Sequence, residues 1–575
     1  MKQILSIAAA LMLAACGKAD APAAAPAVPN EATVRVIAGG EIIGLTTAAG
    51  AHSWRALPFA APPVGDLRWR APRAPQGWQG RRDATAFSAR CAQMSNGLNA
   101  SEGLEPGLFI GAEDCLTLDI YAPPDARTSA QGKKLPVMVW IHGGSNVWGR
   151  SSSYDGSKLA LKENVIIVPV QYRLGPFGWF ANAAMRDSAE TPEDAAANFA
   201  LLDLMASLRW VRENIEAFGG DPANITIFGE SAGGHNVVGL LASPLAEGLF
   251  DRAIIQSGSF DSVPLAEAEF SGAPQSNPSA VVAARLGATD AAGLRGVSTE
   301  ALLGAYSENG RGRLALPAMI EDGVTLPSYP LRDAFGVAGA FHAVPIITGT
   351  NRDEMKFFHI ANPTLTKKIL GVFLAPRDKD FYNAVSEYLS RIWGIRSVDQ
   401  PAALMAAAGH EDVYAYRFDW DEGGRLLFTD TSQLLGASHA MEIPFVFNRF
   451  ILFGKLDKIL FNKKTVETRE ELAIRMGAYW AAFARDGAPG NGPGLAQWPR
   501  WSTDGGSVMR FDSTNDGGVG VMQGVATFDA LTADIKADLR LSPDERCKIV
   551  EAVRFWLDGL ATAIGEDVGC AASPS

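Results

Sequence analysis

Histidine and cysteine are both scarce, 7 and 5 residues in a chain of 575. So few metal-binding side chains, with no cluster of them along the chain, argue against a metallohydrolase. Positive charge is also in deficit. The formal net charge is −12, and an acidic surface repels phosphate backbones and anionic headgroups, which argues against a nucleic-acid partner. Past the N-terminus no run of roughly 18 apolar residues occurs, so no spanning helix is expected. No internal repeat is present either. What the chain does have is apolar content, 47% of its residues. That is ample for one large α/β unit, which often exceeds the usual ~150 residues per domain.

The N-terminus reads as an export signal outside the fold. Lys2 precedes the apolar stretch Ile4 to Ala15, which ends in Leu13-Ala14-Ala15-Cys16-Gly17. Small residues leading into a cysteine resemble a bacterial lipobox, so residues 1–15 are expected to be removed and Cys16 to carry lipid. Residues 16–33, rich in Ala and Pro, cannot build a core and read as an extended tether. The catalytic domain is expected over 34–575, starting near Val34. Gly17 after the cysteine points, by resemblance, to the outer membrane, and the lipid is the only membrane contact expected. With Cys16 set aside, the remaining cysteines fall into two local pairs. In an oxidising compartment these read as disulfides Cys91–Cys115 and Cys547–Cys570.

Along the rest of the chain, short β-branched runs alternate with helical patterns. Val137 to Ile141, Val165 to Val168, Ile225 to Phe228 and Val344 to Ile347 are continuous apolar runs suited to strands covered on both faces. Asn198 to Phe218 has helical spacing and stops at Gly219-Gly220-Asp221-Pro222. This alternation predicts an α/β fold, a mostly parallel sheet with helices on both faces. The less regular segments Ser259 to Pro330 and Phe357 to Glu411 read as helical insertions forming pocket walls.

Gly229-Glu230-Ser231-Ala232-Gly233 follows the third of those strands directly. With 59 glycines in the chain, a bare Gly-x-Ser-x-Gly arises too easily by chance to convince. Its position between a strand and a helix start is what marks Ser231 as a nucleophile on a tight turn. The first strand runs into His142-Gly143-Gly144-Ser145-Asn146, where glycines let backbone N–H groups approach one oxygen. In the order Ser, acid, His, the base is His342, His359, His410 or His439. His439 lies on a loop before the apolar run Ile443 to Phe447, whereas His410, beside Glu411 and Asp412, reads as a solvated surface pair. For the acid, Asp353 and Glu354 both follow the strand Val344 to Ile347, and residue chemistry alone leaves the two open. A carboxylate beside the imidazole would raise its pKa above ~6.5, and burial would oppose that rise.

Taken together these motifs resemble the type-B carboxylesterases, the family of cholinesterases and para-nitrobenzyl esterases, from Val34 to about Asp512. Further elements of the resemblance are Phe59 to Gly65 with Leu67-Arg68-Trp69, Glu113-Asp114-Cys115-Leu116 and Gln171 to Gly175. Phe218 to Pro222, Gln256-Ser257-Gly258, Asp322-Gly323 and Trp498-Pro499 complete it. The resemblance implies an α/β-hydrolase fold and a serine esterase acting on small-molecule esters through an acyl-serine, without a cofactor. It selects Glu354 as acid and His439 as base. Gly144, Ser145 and Ala232 become the oxyanion donors, Cys91–Cys115 the first disulfide, and Arg68 with Glu113 a buried ion pair. Three departures stand out: Ser145 in place of a third glycine, Met355 after the acid where glycine is usual, and no tryptophan between Cys91 and Cys115. The last removes the cation–π platform for choline. The alternatives are a non-catalytic binding protein on the same fold, like the neuroligins, which have lost the serine, or a lipase, amidase or thioesterase with the same triad.

Overall fold

The computed structural model describes residues 27–126, 133–270, 278–308, 313–314, 316–490, 492, 494–554 and 557–570. The leader, Cys16 and most of the tether lie outside these. The fold begins at Pro29, earlier than the expected Val34. Pro29 bridges to Leu45, and the Thr33 carbonyl accepts from the buried Trp54 indole at 2.7 Å.

Eleven strands form one sheet. In chain order they are β1 (Leu45–Thr46), β2 (His52–Pro58), β3 (Thr117–Ala122), β4 (Leu135–Ile141), β5 (Ile166–Val170), β6 (Gly220–Glu230), β7 (Arg252–Gln256), β8 (Ile346–Asn351), β9 (Val413–Phe418), β10 (Val508–Phe511) and β11 (Gly520–Met522). Their spatial order is β11-β10-β9-β8-β7-β6-β4-β5-β3-β2-β1. From β5 to β10 all neighbours are parallel, and antiparallel strands close both edges.

The four continuous apolar runs all fall in the parallel centre, and their alternation shows why they are apolar throughout. Val137, Val139 and Ile141 of β4 join one buried core, which also holds Leu201, Leu204 and Leu208 of helix α1 (Phe199–Asn214). Met138 and Trp140 point into a second core on the other face, which includes Met476, Trp480 and Phe483 of the long helix Val466–Asp486. Each face of the sheet is therefore dry, as for the expected fold class. The last expected strand is shifted: Pro345 precedes β8, which runs on to Asn351 and so delivers Glu354 three residues past its end. The C-terminal helices Phe528–Ala537, Pro543–Arg554 and Asp558–Val568 bury Leu531, Ile549, Val553 and Ile564 in the second core. They thus belong to the same unit.

Both expected disulfides are present, Cys91–Cys115 and Cys547–Cys570. The buried Arg68–Glu113 pair is present too, at 2.5 Å, and Arg68 also donates to the Val297 carbonyl at 2.7 Å, tying the first insertion to the sheet domain. Among the described residues no helix is long and apolar enough to cross a membrane.

Candidate active site

Strand β6 ends at Glu230, and helix α2 (Ala232–Ala242) starts two residues later. Ser231 spans the gap at φ 57° and ψ −123°. A β-carbon is tolerated there only under strain, which persists where surrounding structure over-determines it. The constraint is visible in the flanking glycines. A Cβ on Gly233 would lie 2.0 Å from the Ile141 carbonyl oxygen, and one on Gly229 would lie 2.6 Å from the Gly233 backbone. Only bare backbone fits, so the motif's glycines follow from the closeness of β4, β6 and α2.

The loop after β4 packs on the same turn. A Cβ on Gly143 would meet Ser231 Cβ at 3.1 Å and the Glu230 carbonyl at 2.7 Å. Gly144 (φ 105°), Ser145 (φ 54°) and Asn146 (φ 58°) form a left-handed run. Ser145 thus occupies a conformation that glycine, the usual family residue, adopts freely. The Gly144 carbonyl accepts from Val147 and Trp148, and Asn146 is pinned by Tyr172 and Asn236. The N–H groups of Gly144, Ser145 and Ala232 have no acceptor among the described residues, which leaves three donors beside the serine.

Glu354 and His439 meet directly. Glu354 Oε2 lies 2.5 Å from His439 Nδ1, and both side chains are buried. The other carboxylate oxygen, Oε1, accepts from Ser257 Oγ at 2.5 Å, Thr350 Oγ1 at 2.8 Å and the Asn351 N–H at 2.7 Å. Burial alone would raise the Glu354 pKa. The His439 charge and the bonds from His439, Asn351 and Ser257 outweigh it and hold the carboxylate below its usual value. Asp353 faces elsewhere. It pairs with Arg352 and Lys356 and accepts from the Ala437 N–H at 3.1 Å, so it anchors the loop that carries His439. The structure thereby separates the two carboxylates that residue chemistry had left open.

His439 has a second acidic neighbour. Its Nε2 lies 3.2 Å from Glu230 Oε1, on the residue just before the serine. The serine hydroxyl itself makes no hydrogen bond to His439 among the described residues. Glu442 completes the cluster, held by Gln256 at 3.0 Å and Asn351 at 2.6 Å. Burial would lower the His439 pKa, but Glu230, Glu354 and Glu442 prevail and hold it up, to about 9. Burial in turn pushes Glu230 up to about 8 and Glu442 above its usual value. At the imidazole the carboxylates win the contest with desolvation, whereas at Glu230 and Glu442 burial wins. Glu230 and Ser257 stood inside motifs quoted for other residues, and Glu442 at the end of the loop that carries His439. For the two glutamates the available signal was a charged side chain in an otherwise small or apolar run.

Three aromatic rings wall the imidazole: Trp393 at 4.9 Å, Phe358 at 5.4 Å and Phe357 at 5.9 Å between centroids. Phe357 and Phe358 sit on the short helix Lys356–His359, just after the acid, and Trp393 on the helix Lys379–Gly394. All three rings come from the second irregular segment, the one expected to supply pocket walls. The three other candidate bases are elsewhere. His359 is buried against Ser386 with its pKa lowered by burial to about 4, and His342 bonds the Ser243 carbonyl. His410 is not the solvated residue expected. It is buried edge-on against Phe341 because its chain segment turns inward before β9, and desolvation lowers its pKa.

A strained serine at a strand-to-helix elbow, beside a buried acid–imidazole pair and free backbone donors, defines a serine hydrolase of the α/β-hydrolase class. The sequence profile of the Carboxylesterase family matches residues 31–369 and 359–527. The chain is similar to the para-nitrobenzyl esterase of Bacillus subtilis, 35% identical over 81% of this chain and 92% of that protein. It is also similar to the human cocaine esterase, 33% identical over 78% and 82%. Among solved structures, a Geobacillus stearothermophilus carboxylesterase superposes with a TM-score of 0.67 at 30% identity, covering 87% of this chain and 99% of that one. The protein belongs to the carboxylesterase family and is a serine hydrolase of carboxylic esters.

Proposed function

We propose that Ser231 is the nucleophile, His439 the general base and Glu354 the acid that orients it, acting on esters with an apolar group beside the Phe357–Phe358–Trp393 wall. The observation that carries this is the buried 2.5 Å Glu354–His439 bond, held beside the Ser231 elbow. His439 Nε2 takes the serine proton as Oγ attacks the ester carbonyl. The N–H groups of Gly144, Ser145 and Ala232 hold the resulting oxyanion. Collapse breaks the bond to the alkoxide, which leaves with the proton from His439, and an acyl-serine remains. Water, deprotonated by His439, then releases the acid and restores the hydroxyl. Glu354 stays ionised throughout and stabilises the imidazolium.

The cellular setting is part of the same proposal: export, removal of residues 1–15, lipidation of Cys16 and residence at the outer membrane. Two closed disulfides support an oxidising compartment.

The test is a fluorophosphonate probe followed by peptide mapping, with a panel of acyl esters of graded chain length and one anilide. Labelling is expected on Ser231, and Ser231→Ala should keep the fold, since alanine tolerates the same backbone, while retaining less than about one hundredth of the activity. Labelling at another serine, or a folded Ser231→Ala protein that still turns over, overturns the assignment. Preference for the anilide would shift the substrate class to amides.

A further inference from the structure

Two hairpins, one in the second insertion and one after β9, show a pattern that folding does not explain. The first pairs Thr366–Ile369 with Phe373–Pro376, and the second pairs Arg425–Leu426 with Thr429–Asp430. They lie side by side. The Leu374 N–H donates to Thr429 Oγ1 at 3.0 Å, and the Phe373 and Phe428 rings meet edge to face at 5.9 Å.

Each tip carries a leucine in the left-handed region, Leu370 at φ 51° and Leu427 at φ 53°. Such hairpin positions are normally filled by glycine or asparagine, because an L side chain there crowds the backbone. Both leucines are also largely in solvent, 78% and 65% exposed. Leu426, Phe428 and Val372 beside them are exposed as well. Strained backbone and solvated apolar surface both oppose folding, and at both tips the same choice recurs. An exposed apolar cluster of this kind is rewarded only by a partner.

Charge indicates which partner. The chain is strongly acidic, at −12. Yet the two hairpins with Arg377 carry Lys367, Lys368, Arg377 and Arg425 against one carboxylate, Asp430, which caps a helix through the Gln433 N–H. None of the four cations pairs with a carboxylate among the described residues. Lys367, Lys368 and Arg377 line a depression of about 250 Å³ whose remaining wall includes Leu374 and Pro363. Among the described residues Arg377 and Arg425 donate only to the Pro363 and Leu427 carbonyls. Apolar tips between cations without a carboxylate partner therefore match a lipid surface, with acyl chains accepting the leucines and anionic headgroups the cations.

We propose that this pair of hairpins is a peripheral docking site for an anionic lipid bilayer, separate from any lipid on Cys16. The first hairpin follows, after the short link of residues 360–365, the helix Lys356–His359, whose Phe357 and Phe358 pack on His439. Docking would therefore hold the pocket-wall segment at the membrane, where apolar esters partition.

The test uses the full chain bearing Cys16→Ser, so that no acyl chain contributes. Binding is measured by co-sedimentation with vesicles of phosphatidylcholine alone or mixed with phosphatidylglycerol, at low and high salt. The protein should pellet with the anionic vesicles, poorly with the zwitterionic ones, and less as salt screens the cations. Adding Leu370→Asn and Leu427→Asn should cut vesicle affinity by about tenfold or more, from the loss of the buried apolar side chains. Thermal stability should stay the same or rise, because asparagine suits the left-handed backbone better, and hydrolysis of a soluble short-chain ester should be unchanged. Failure to pellet, or equal pelleting by the double variant, would refute the proposal. So would a fall in its melting temperature, which would assign the leucines to folding. A dimer in sedimentation that the double variant dissolves, without vesicle binding, would give the patch to a second copy of this chain.

Discussion

Replacing Glu354 with Gln removes one negative charge and almost no volume, so the fold should survive while the base fails. The hydrogen bonds decide how the amide sits. Oε1 receives three donors, from Ser257, Thr350 and Asn351, so the amide oxygen must take that place. Its NH2 then faces His439 Nδ1, which is forced to accept. The ring proton moves to Nε2, the atom that must be bare to take the serine proton. Charge adds to this loss. With charge centres about 4 Å apart and an effective dielectric of about 20, Glu354 stabilises the imidazolium by about 4 kcal/mol. At about 1.4 kcal/mol per power of ten, that is roughly a thousandfold in rate. The wrong tautomer adds further, and the same change in another Ser-His-acid triad reduces kcat about ten-thousand-fold. The assay is kcat/KM on a soluble ester, with near-ultraviolet circular dichroism to verify the fold. Asp353→Asn serves as control, keeping an acceptor for the Ala437 N–H and staying within about tenfold of wild type. A folded Glu354→Gln enzyme less than about tenfold impaired, or more active than Asp353→Asn, would refute the assignment.

Three other outcomes are expected. Because Glu230 faces Nε2 and raises the His439 pKa, Glu230→Gln should lower it, so the acid limb of kcat/KM should move to lower pH; an unchanged or raised limb would contradict the electrostatics. Gly233→Ala puts a methyl 2.0 Å from the Ile141 oxygen, so the melting temperature should fall by an amount matching about 3 kcal/mol or more, and a wild-type melting curve would show that the elbow has room. If Cys16 is lipidated, the wild-type enzyme should stay in membranes through a high-salt wash whereas Cys16→Ser is released in active form; release of both would argue against the anchor.

Much of this protein could be read locally. A parallel strand buried on both faces must be apolar at every position, so Val137 to Ile141 and Ile225 to Phe228 announce themselves without knowledge of their neighbours. The serine elbow is equally local, since its glycines record how closely two strands and a helix converge. The spacing of the cysteines made two short loops the economical pairing, and both bridges are present. What the chain could not disclose was direction and company. Asp353 and Glu354 are adjacent on one turn, yet one points to a loop backbone and the other to the imidazole, and family resemblance alone had chosen between them. His410 looked solvated beside two acids until the fold buried it against Phe341. Glu230, Glu354 and Glu442 stand far apart in the chain, and only the closing of β6, β8 and the His439 loop gathers three carboxylates around one imidazole. Pattern along a sequence records the backbone and the face it buries. The pKa of a buried group depends on which charges and donors stand within a few ångströms, and those distances exist only once distant segments pack.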